Sequence, residues 1–340
     1  MSTKRDIVFL LSRITGITRL LESSNSCPLL FVLNYHRVGD ASTSPYDPGT
    51  FSCSADEFNL QIGWLKERYD IVSLNDAIEI IHSRRLPRRN SVLLTFDDGY
   101  RDNYDTAFPI MQKHGVTGTF FLSTLFVGSG VLPWWDQIAW LVKASRKRRI
   151  AIGYPYGKDI DISEDVRAQS LRELLKDFKN PKTEDSERFI AELAEACGVT
   201  RVDHVLDPCF LTWEEAREMK QAGMCFGSHT HSHSILGRLP YHQQVSELTT
   251  SKLLMEKELD MAINTLAYPV GSVSSFGDDS YRALSTADYQ TAFSFYSGVN
   301  VPGRIHPLDV MRIGINQDTR MSLRFRLACL GATGRELWPS

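Results

Sequence analysis

Short apolar runs rich in β-branched and aromatic residues recur along the chain, each bounded by turn or cap residues. Seven such runs predict β-strands, at residues 29–36, 91–98, 117–123, 224–229, 264–270, 290–296 and 310–315. Helical patterns lie between most of them; one opens at the predicted cap Thr212 and stops at Gly223. This alternation predicts an α/β fold with a parallel sheet and helices outside it, and 340 residues suit one α/β barrel with insertions.

The stretch 130–210 interrupts the alternation with the apolar segment WWDQIAWLV, a basic run and an acidic helical segment. We interpret it as a mostly helical insertion between the third and fourth strands. Two hypotheses stay open: the insertion shapes a substrate groove or caps the barrel, or it is a surface elaboration. The predicted organisation is an N-terminal amphipathic segment at 1–28, the barrel with its insertion at 29–320, and a C-terminal tail at 321–340.

Composition narrows the class of protein without identifying it. Apolar residues make up 42% and charged residues 23%, as in a soluble globular protein that buries a core. A net charge of −3 gives no basic field for nucleic acid. The six cysteines lie far apart without a C-x-x-C pair, which argues against a zinc ribbon, a redox motif or a disulfide framework. We expect them as buried free thiols.

The two ends of the chain bear on its location. No stretch reaches the roughly 18 to 20 apolar residues of a membrane span, and the first apolar run, IVFLL, is too short for a signal peptide. We therefore expect a cytoplasmic protein. Residues 4–21 and 320–331 are basic and amphipathic, so they either lie on a membrane surface or pack on their own domain.

Polar side chains collect where the predicted strands end. In barrels of parallel strands the active site lies at the carboxyl ends of the strands. We therefore expect one site built from segments far apart in sequence. The strand-end residues are Tyr35 and His36, Asp97 and Asp98, Ser228 and His229, and Tyr268 and Pro269.

Two of these segments predict metal chemistry. The adjacent carboxylates of Asp97 and Asp98 suit a division of labour, in which one holds a metal and the other moves a proton; the alternative is that both cap the next helix. If GSHTHSH turns helically after its strand, His229 and His233 share one face and His231 points elsewhere. The alternative is a set of surface histidines that are merely hydrogen-bonded.

Two imidazoles and one carboxylate leave an open position for water on a Zn²⁺-like ion. Such an ion lowers the pKa of the water and polarises a carbonyl group. The residues therefore predict metal-assisted hydrolysis of a carbonyl compound. The expected cofactor is a divalent metal ion, Zn²⁺ by its ligands, although ions with the same preferences compete for such sites.

Taken in order, the segments LLTFDDGYRDNY, GSHTHSH and LAYPVG resemble the polysaccharide deacetylases, also described as NodB-homology or carbohydrate esterase family 4 proteins. LNYHRV and LTWEEAREMKQAG resemble further motifs of the exopolysaccharide-associated members. The resemblance covers residues 30 to 315 except the insertion. It implies a distorted (β/α)7 barrel and removal of an N-acetyl, sometimes O-acetyl, group from a sugar. By motif, Asp97 would be the general base, and Asp98, His229 and His233 the metal ligands.

The chain departs from the family pattern at two places. Ala267 stands where many members carry an arginine that orients the catalytic aspartate, and Arg312 is a candidate replacement. We assign the acid that protonates the leaving amine to His306, and His36 is the alternative. The residues expected to contact the substrate are Tyr268, Pro269 and His36.

The leading hypothesis is a metal-dependent N-deacetylase of cell-surface polysaccharide or glycolipid synthesis, with an N-acetylated sugar or glycan as its partner. A cytoplasmic location and basic ends favour a lipid-linked or nucleotide-linked intermediate over a finished polymer. Two alternatives stay open. One is hydrolysis of another carbon–nitrogen bond, such as a formamide on a lipid-linked sugar, and the other is an inactive carbohydrate-binding relative. The sequence indicates no oligomeric state.

Overall fold

The chain divides into two units that are each built from separate stretches of sequence. The computed structural model describes Thr18, Leu21 and residues 27–180, 182–202 and 209–334. The first unit comprises Met1–Asp40, Thr50–Gly128 and Phe210–Ser340, and the second comprises Ala41–Gly49 and Ser129–Cys209. The predicted N-terminal segment 1–28 lies almost entirely outside the described residues, and the predicted domain boundaries stay a prediction.

A parallel sheet forms the centre of the first unit, and each of the seven predicted strands contributes to it. Its strands are β1 (Leu30–Tyr35), β5 (Ser91–Asp98), β6 (Thr119–Leu122), β9 (Cys225–Ser228), β10 (Thr265–Ala267), β11 (Thr291–Phe293) and β12 (Ile313–Gly314). Their spatial order is β11-β10-β9-β6-β5-β1-β12. A short strand, β4 (Asp70–Ile71), pairs with the start of β5. The carboxyl ends of these parallel strands therefore meet at one edge.

The last strand segment connects the two ends of this sheet. The backbone of Val310 exchanges hydrogen bonds with Ala292 and Ser294, beside β11. A few residues later Ile313 pairs with Leu33 of β1. The sheet therefore curls into a distorted barrel, and only the second half of the predicted strand 310–315 has regular strand geometry.

Helices and short strands fill the connections of the first unit. The predicted cap Thr212 forms a full capping box with Glu215, and the helix ends just before Gly223, at φ 89°. The helices are α1 (Ala55–Arg68), α2 (Leu74–Ile81), α3 (Phe108–His114), α7 (Trp213–Gln221), α8 (Tyr241–Leu259), α9 (Asp278–Thr286) and α10 (Arg320–Thr333), with the strand pair β2 (Arg37–Val38) and β3 (Phe51–Cys53).

The central strands are embedded in apolar side chains. Every residue of β1 and β5 is buried. The rings of Tyr35, Phe96 and Phe120 stack in series across three neighbouring strands, with centroids 5.3 and 4.7 Å apart. Such close packing allows little relative movement of the strands, so the polar residues at their ends are held on a rigid base.

The second unit adds an antiparallel hairpin to the mostly helical insertion that the sequence predicts. It contains α4 (Trp134–Ala144), the antiparallel hairpin β7 (Arg149–Ile152) and β8 (Lys158–Asp161), α5 (Arg167–Phe178) and α6 (Ser186–Cys197). Its two stretches are joined by polar contacts: the Asp47 amide donates to Asp136, and Lys143 donates to the carbonyl of Ser44. Its role stays a prediction.

The C-terminal helix α10 is almost entirely enclosed. Leu323, Phe325, Leu327 and Leu330 are all buried. Among the described residues, no helix has both the length and the apolar character needed to cross a membrane. Membrane contact through either end stays a prediction. Three cysteines, Cys53, Cys197 and Cys329, are buried as expected, whereas Cys27 is exposed.

Candidate active site

The two adjacent carboxylates at the end of β5 both enter one site because the backbone there adopts the left-handed conformation. Asp98 has φ 73° and Gly99 has φ 81°. Glycine adopts this conformation freely, whereas an aspartate in it is uncommon and needs support from its surroundings. A Cβ at residue 99 would also lie 2.7 Å from Leu122 Cδ2. Both carboxyl groups are buried.

Asp97 is held by a fully buried arginine on the last strand segment. Arg312 Nη1 donates to Asp97 Oδ1 at 2.7 Å, and Nη2 donates to Oδ2 at 2.8 Å. Asn34 donates to Oδ2 at 3.1 Å and accepts from Arg312 Nη1 at 2.8 Å. Arg312 Nε donates to the carbonyl of Ser294. The candidate replacement named from the sequence therefore lies directly against the carboxylate.

This arrangement determines the charge of Asp97. Burial alone would raise the pKa of its carboxyl group, but the positive charge and hydrogen bonds of Arg312, together with His229, hold that pKa well below its usual value. Asp97 is therefore ionised at neutral pH. Ala267, which stands in place of the family arginine, instead accepts a hydrogen bond from His229 Nδ1 through its carbonyl at 2.7 Å.

The histidine segment continues from β9 as a loop, and the predicted helical turn is wrong. Thr230 and His233 have φ 64° and 59°, which interrupts any helix. The loop nevertheless brings the two selected rings together: the His229 and His233 centroids are 4.8 Å apart. Their Nε2 atoms lie 3.5 and 3.3 Å from Asp98 Oδ1. His231 points elsewhere and hydrogen-bonds with Thr124 Oγ1 at 2.8 Å.

Asp98, His229 and His233 fit a divalent cation. Their donor atoms lie within 4.8 Å of one another. Two ligands of a tetrahedral zinc ion, each about 2.0–2.2 Å from it, would be about 3.4 Å apart. The two measured nitrogen–oxygen distances, 3.5 and 3.3 Å, match this spacing. Asp98 Oδ1 is also buried with no hydrogen-bond partner among the described residues, as expected of an atom that binds an ion.

The protonation of His229 also fits binding of a divalent cation. Its Nδ1 donates to the Ala267 carbonyl, so in the neutral ring Nε2 carries the lone pair that faces Asp98. Burial lowers the pKa of His229 to about 4, although Asp97 opposes the shift. The ring is therefore neutral at neutral pH, and two electron-rich atoms face each other with room for a cation between them.

His36 is close to the carboxylates. Its backbone is fixed on both sides, because its amide donates to Ser52 Oγ at 3.0 Å and its carbonyl accepts from Asn103 at 2.7 Å. Its ring contacts Phe295 edge to face, with centroids 5.6 Å apart. A positive charge on His36 lowers the pKa of both Asp97 and Asp98.

The other sequence-predicted residues are placed differently. Tyr268 is buried, donates to the Leu308 carbonyl at 2.9 Å and stacks on Phe276, so its hydroxyl is already engaged. Pro269 follows β10 and accepts from the Gly271 amide at 2.7 Å across Val270, which has φ 62°. Exposed His306 contacts Tyr281, with centroids 5.5 Å apart. The substrate and acid assignments of these residues stay predictions.

Asn34 is a site residue that the sequence analysis did not assign. It accepts from both Thr95 Oγ1 and Arg312 while donating to Asp97, so it links three strands. The rule that identified Tyr35 and His36, polar residues at a strand end, could have found it one position earlier. Its burial inside a strand conceals it, because a buried strand asparagine is usually structural.

Comparisons with known proteins identify the family of the chain. The family model described as polysaccharide deacetylase matches residues 84–292, more than half of the chain. YxkH of Bacillus subtilis is 22% identical over 260 residues, which is 76% of this chain and 62% of YxkH. The poly-beta-1,6-N-acetyl-D-glucosamine N-deacetylase of Staphylococcus epidermidis is 33% identical over 107 residues, 28% of this chain and 37% of that enzyme. The aligned chain thus spans less than two thirds of either relative.

Solved structures share the fold. IcaB from Ammonifex degensii aligns with a TM-score of 0.57 at 20% identity, over 90% of this chain and 98% of IcaB. The deacetylase PplD from Streptococcus pyogenes aligns with a TM-score of 0.56 at 19% identity, over 88% of this chain and 97% of PplD. These alignments confirm the predicted α/β fold, a curled parallel sheet of the deacetylase type.

Proposed function

The chain belongs to the polysaccharide deacetylase family, and from this we propose that it hydrolyses the N-acetyl group of an amino sugar in a glycan or lipid-linked glycan. One observation carries the proposal. A buried, ionised carboxylate, Asp97, lies beside a set of three donors, Asp98, His229 and His233, that fits a divalent cation. Metal-assisted hydrolysis of an amide requires these two components side by side.

Each residue has a separate task in the proposed reaction. When bound by Asp98, His229 and His233, a divalent cation, for which we expect Zn²⁺, would acidify water and polarise the acetyl carbonyl. Asp97 accepts the proton of the attacking water, and Arg312 keeps that carboxylate ionised and oriented. The water oxygen bonds to the carbonyl carbon, the carbon–nitrogen bond breaks, and acetate and a free sugar amine result.

We propose His36, rather than His306, as the acid that protonates the leaving amine. The supporting observations are the electrostatic effect of His36 on the pKa of both carboxyl groups and the fixation of its backbone by Ser52 and Asn103. His306 is exposed, and its ring contacts Tyr281 on α9. Proton donation needs a group within hydrogen-bond reach of the departing nitrogen, which favours the residue nearer the carboxylates.

The substrate is proposed from the relatives and from the ends of the chain. The named Staphylococcus relative acts on poly-β-1,6-N-acetyl-D-glucosamine, so an N-acetylglucosamine unit is the first substrate to test. The cytoplasmic location and the membrane contact expected from the sequence would favour a lipid-linked or nucleotide-linked intermediate. A formamide substrate remains the alternative, because formyl and acetyl groups present the same carbonyl to the site.

Acetate and formate release from a panel of acetylated and formylated amino sugars, with metal content measured, tests the proposal. We expect the wild-type protein to release acetate. Asp97→Asn should keep its metal and lose about 10²–10⁴-fold in turnover, because it lacks only the base. Asp98→Ala and His229→Ala should lose the metal as well. Exposed Asp279→Asn is the matched control and should behave as wild type.

Three results would count against this function. Full activity in Asp97→Asn would remove the base from the mechanism. Release of formate but not acetate would reassign the enzyme to deformylation. Sugar binding by a metal-loaded protein that releases neither acid would favour the inactive, carbohydrate-binding alternative.

The acid assignment has its own comparison. His36→Gln should lower acetate release by about 10²-fold or more and weaken the basic limb of the pH–rate profile, because a neutral amide cannot donate a proton to the amine. His306→Gln should change the rate less than twofold. A large loss in His306→Gln with a normal His36→Gln would return the role to His306.

A further inference from the structure

The loop that carries both histidines, residues 229–233, is held in a conformation it would not adopt alone. Thr230 and His233 lie in the left-handed region at φ 64° and 59°. For residues other than glycine this conformation costs roughly 1 kcal/mol or more each. It persists only where neighbouring groups hold the backbone. We call this segment the histidine loop.

One edge of the histidine loop is bound by the end of β6. Ser123 Oγ donates to the His229 carbonyl at 2.9 Å. The amides of Thr124 and Leu125 donate to the carbonyls of Thr230 and His231 at 3.3 and 2.8 Å. These bonds engage the carbonyl groups of residues 229–231, and the His229 amide donates back to the Leu122 carbonyl at 2.9 Å. The amides of His231 and Ser232 find their partner on the other side of the loop.

The other edge is bound by a single carboxylate from α8. Glu247 Oε2 accepts from the amides of His231 and Ser232 at 3.0 and 2.8 Å. Glu247 Oε1 accepts from Ser232 Oγ at 2.7 Å. Hydrogen bonds to an ionised carboxylate are roughly twice as strong as neutral ones. The contacted residues lie between His229 and His233 in sequence, so the carboxylate fixes the part of the chain that separates the two rings.

We propose that Glu247 is a positioning residue that sets the spacing of His229 and His233, and thereby the affinity of the site for its cation. Among the described residues, the hydrogen bonds of Glu247 go to His231 and Ser232, so it would act on the site only through the loop. The inference rests on the proposed function, because the spacing of the imidazoles matters only if they bind a cation.

Metal affinity measured apart from activity tests this role. Zn²⁺ is titrated into metal-free protein against a chromophoric chelator, and the visible spectrum of the Co²⁺-loaded protein reports ligand geometry. We expect Glu247→Ala to raise the Kd for Zn²⁺ by about 10–100-fold and to alter the Co²⁺ spectrum, as for other residues that orient ligands. Glu247→Gln, which retains an acceptor oxygen for the two amides, should recover most of the affinity.

Glu258→Ala is the matched control, because Glu258 is on the same helix and pairs with Arg217 on the surface. It should bind Zn²⁺ within twofold of wild type. If Glu247→Ala fails to fold, Ser232→Ala should still weaken binding several-fold, because it removes the hydroxyl contact with Glu247, together with the one to Ser234, and keeps both amide bonds. Wild-type affinity and an unchanged Co²⁺ spectrum in folded Glu247→Ala would overturn the proposal, as would an equal loss in Glu258→Ala.

The outcome separates this inference from the proposed function. If the wild-type protein binds Zn²⁺ and releases no acid from any sugar, the proposed function fails, while a weakened Glu247→Ala still supports the positioning role. If the protein releases acetate and Glu247→Ala binds Zn²⁺ normally, only the positioning role fails.

Discussion

Arg312 contacts Asp97 from a part of the chain far from Ala267, where many family members carry an arginine. Its guanidinium donates to both oxygens of Asp97, and it lies between the rings of Phe121 and Phe295 at 5.8 and 5.6 Å. Ala267 on β10 offers no charge to this carboxylate. The carboxylate requires a cation beside it whichever strand supplies that cation, because an unpaired buried charge is strongly unfavourable.

Replacing this arginine should affect stability and the pH profile together. In Arg312→Met, Asp97 remains buried without its partner, and the free energy of unfolding should fall by about 3–5 kcal/mol. Burial then dominates, so the pKa of Asp97 rises and the acidic limb of the pH–rate profile moves to higher pH. Urea unfolding and acetate release between pH 4 and 8 provide the two measurements.

Arg312→Lys separates charge from geometry in the same experiment. The ammonium group keeps the positive charge but cannot make the bidentate contact. The lysine variant should therefore keep most of the stability and lose about tenfold in rate. An acidic limb in Arg312→Met that coincides with that of wild type would show that Arg312 does not control the charge of Asp97.

At this scale the sequence predicts residue types better than backbone geometry. Asp97, Asp98, His229 and His233 could be selected because they end or follow buried strands, whose carboxyl ends meet. The left-handed φ angles of Asp98 and His233 could not be predicted, since these two residues contact each other across 135 positions of sequence. His306 illustrates the reverse case: its chemistry fits an acid, but the fold places it beside Tyr281.

Among the elements, the strands follow from their apolar runs, while the loop after β9 follows from tertiary contacts. Local spacing favours a helical turn that would align His229 and His233. The end of β6 and Glu247 instead bind both edges of the loop, so an extended path is preferred and the same two rings still converge. Periodicity predicts that these two rings lie together, as they do, but not the path of the backbone between them.

Within β9, glycine is required by close packing rather than by its φ angle. A Cβ at Gly227 would lie 2.5 Å from Phe121 Cε1 and 2.7 Å from Thr265 Oγ1. These atoms belong to the two strands that flank β9, so a larger residue would separate them. The strand that ends at His229 therefore depends on a small residue two positions before it.

Across the whole molecule, the metal-free protein should lose stability in mild acid. The unfolded chain binds a proton on His229 near pH 6.5, whereas the folded ring binds one only near its lowered pKa of about 4. The contribution of His229 to the free energy of unfolding is fully present above about pH 6.5 and is lost as the pH falls toward 4. At pH 5 the loss amounts to about 2 kcal/mol. Urea unfolding of metal-free protein at pH 7 and pH 5 measures it.

Two histidine variants provide the comparison for this pH effect. His229→Gln removes the titrating imidazole, so the difference in the free energy of unfolding between pH 7 and pH 5 should shrink by about 2 kcal/mol. Exposed His242→Gln should retain the wild-type difference. If wild type and His229→Gln lose the same stability between the two pH values, other groups cause the effect.

The pattern of the chain predicts the parallel sheet of the first unit, because each strand is a local apolar run. It does not predict that Ala41–Gly49 belongs with the second unit. That grouping depends on contacts such as the one from Lys143 to the carbonyl of Ser44, 99 positions apart. Polar contacts between distant segments leave no periodic trace in the sequence.

The left-handed residues at the strand ends have a consequence for evolution. Asp98, Thr230, His233 and Val270 each adopt a conformation that glycine would reach without strain. Glycine at any of them would relieve this backbone strain, although it would also remove side-chain contacts and add conformational entropy to the unfolded chain. At Asp98 and His233 glycine would also remove a proposed metal-ligating atom, so we expect selection for turnover to keep both strained residues. At Thr230 and Val270 glycine would remove no proposed metal ligand, so selection for heat resistance and selection for turnover do not conflict there.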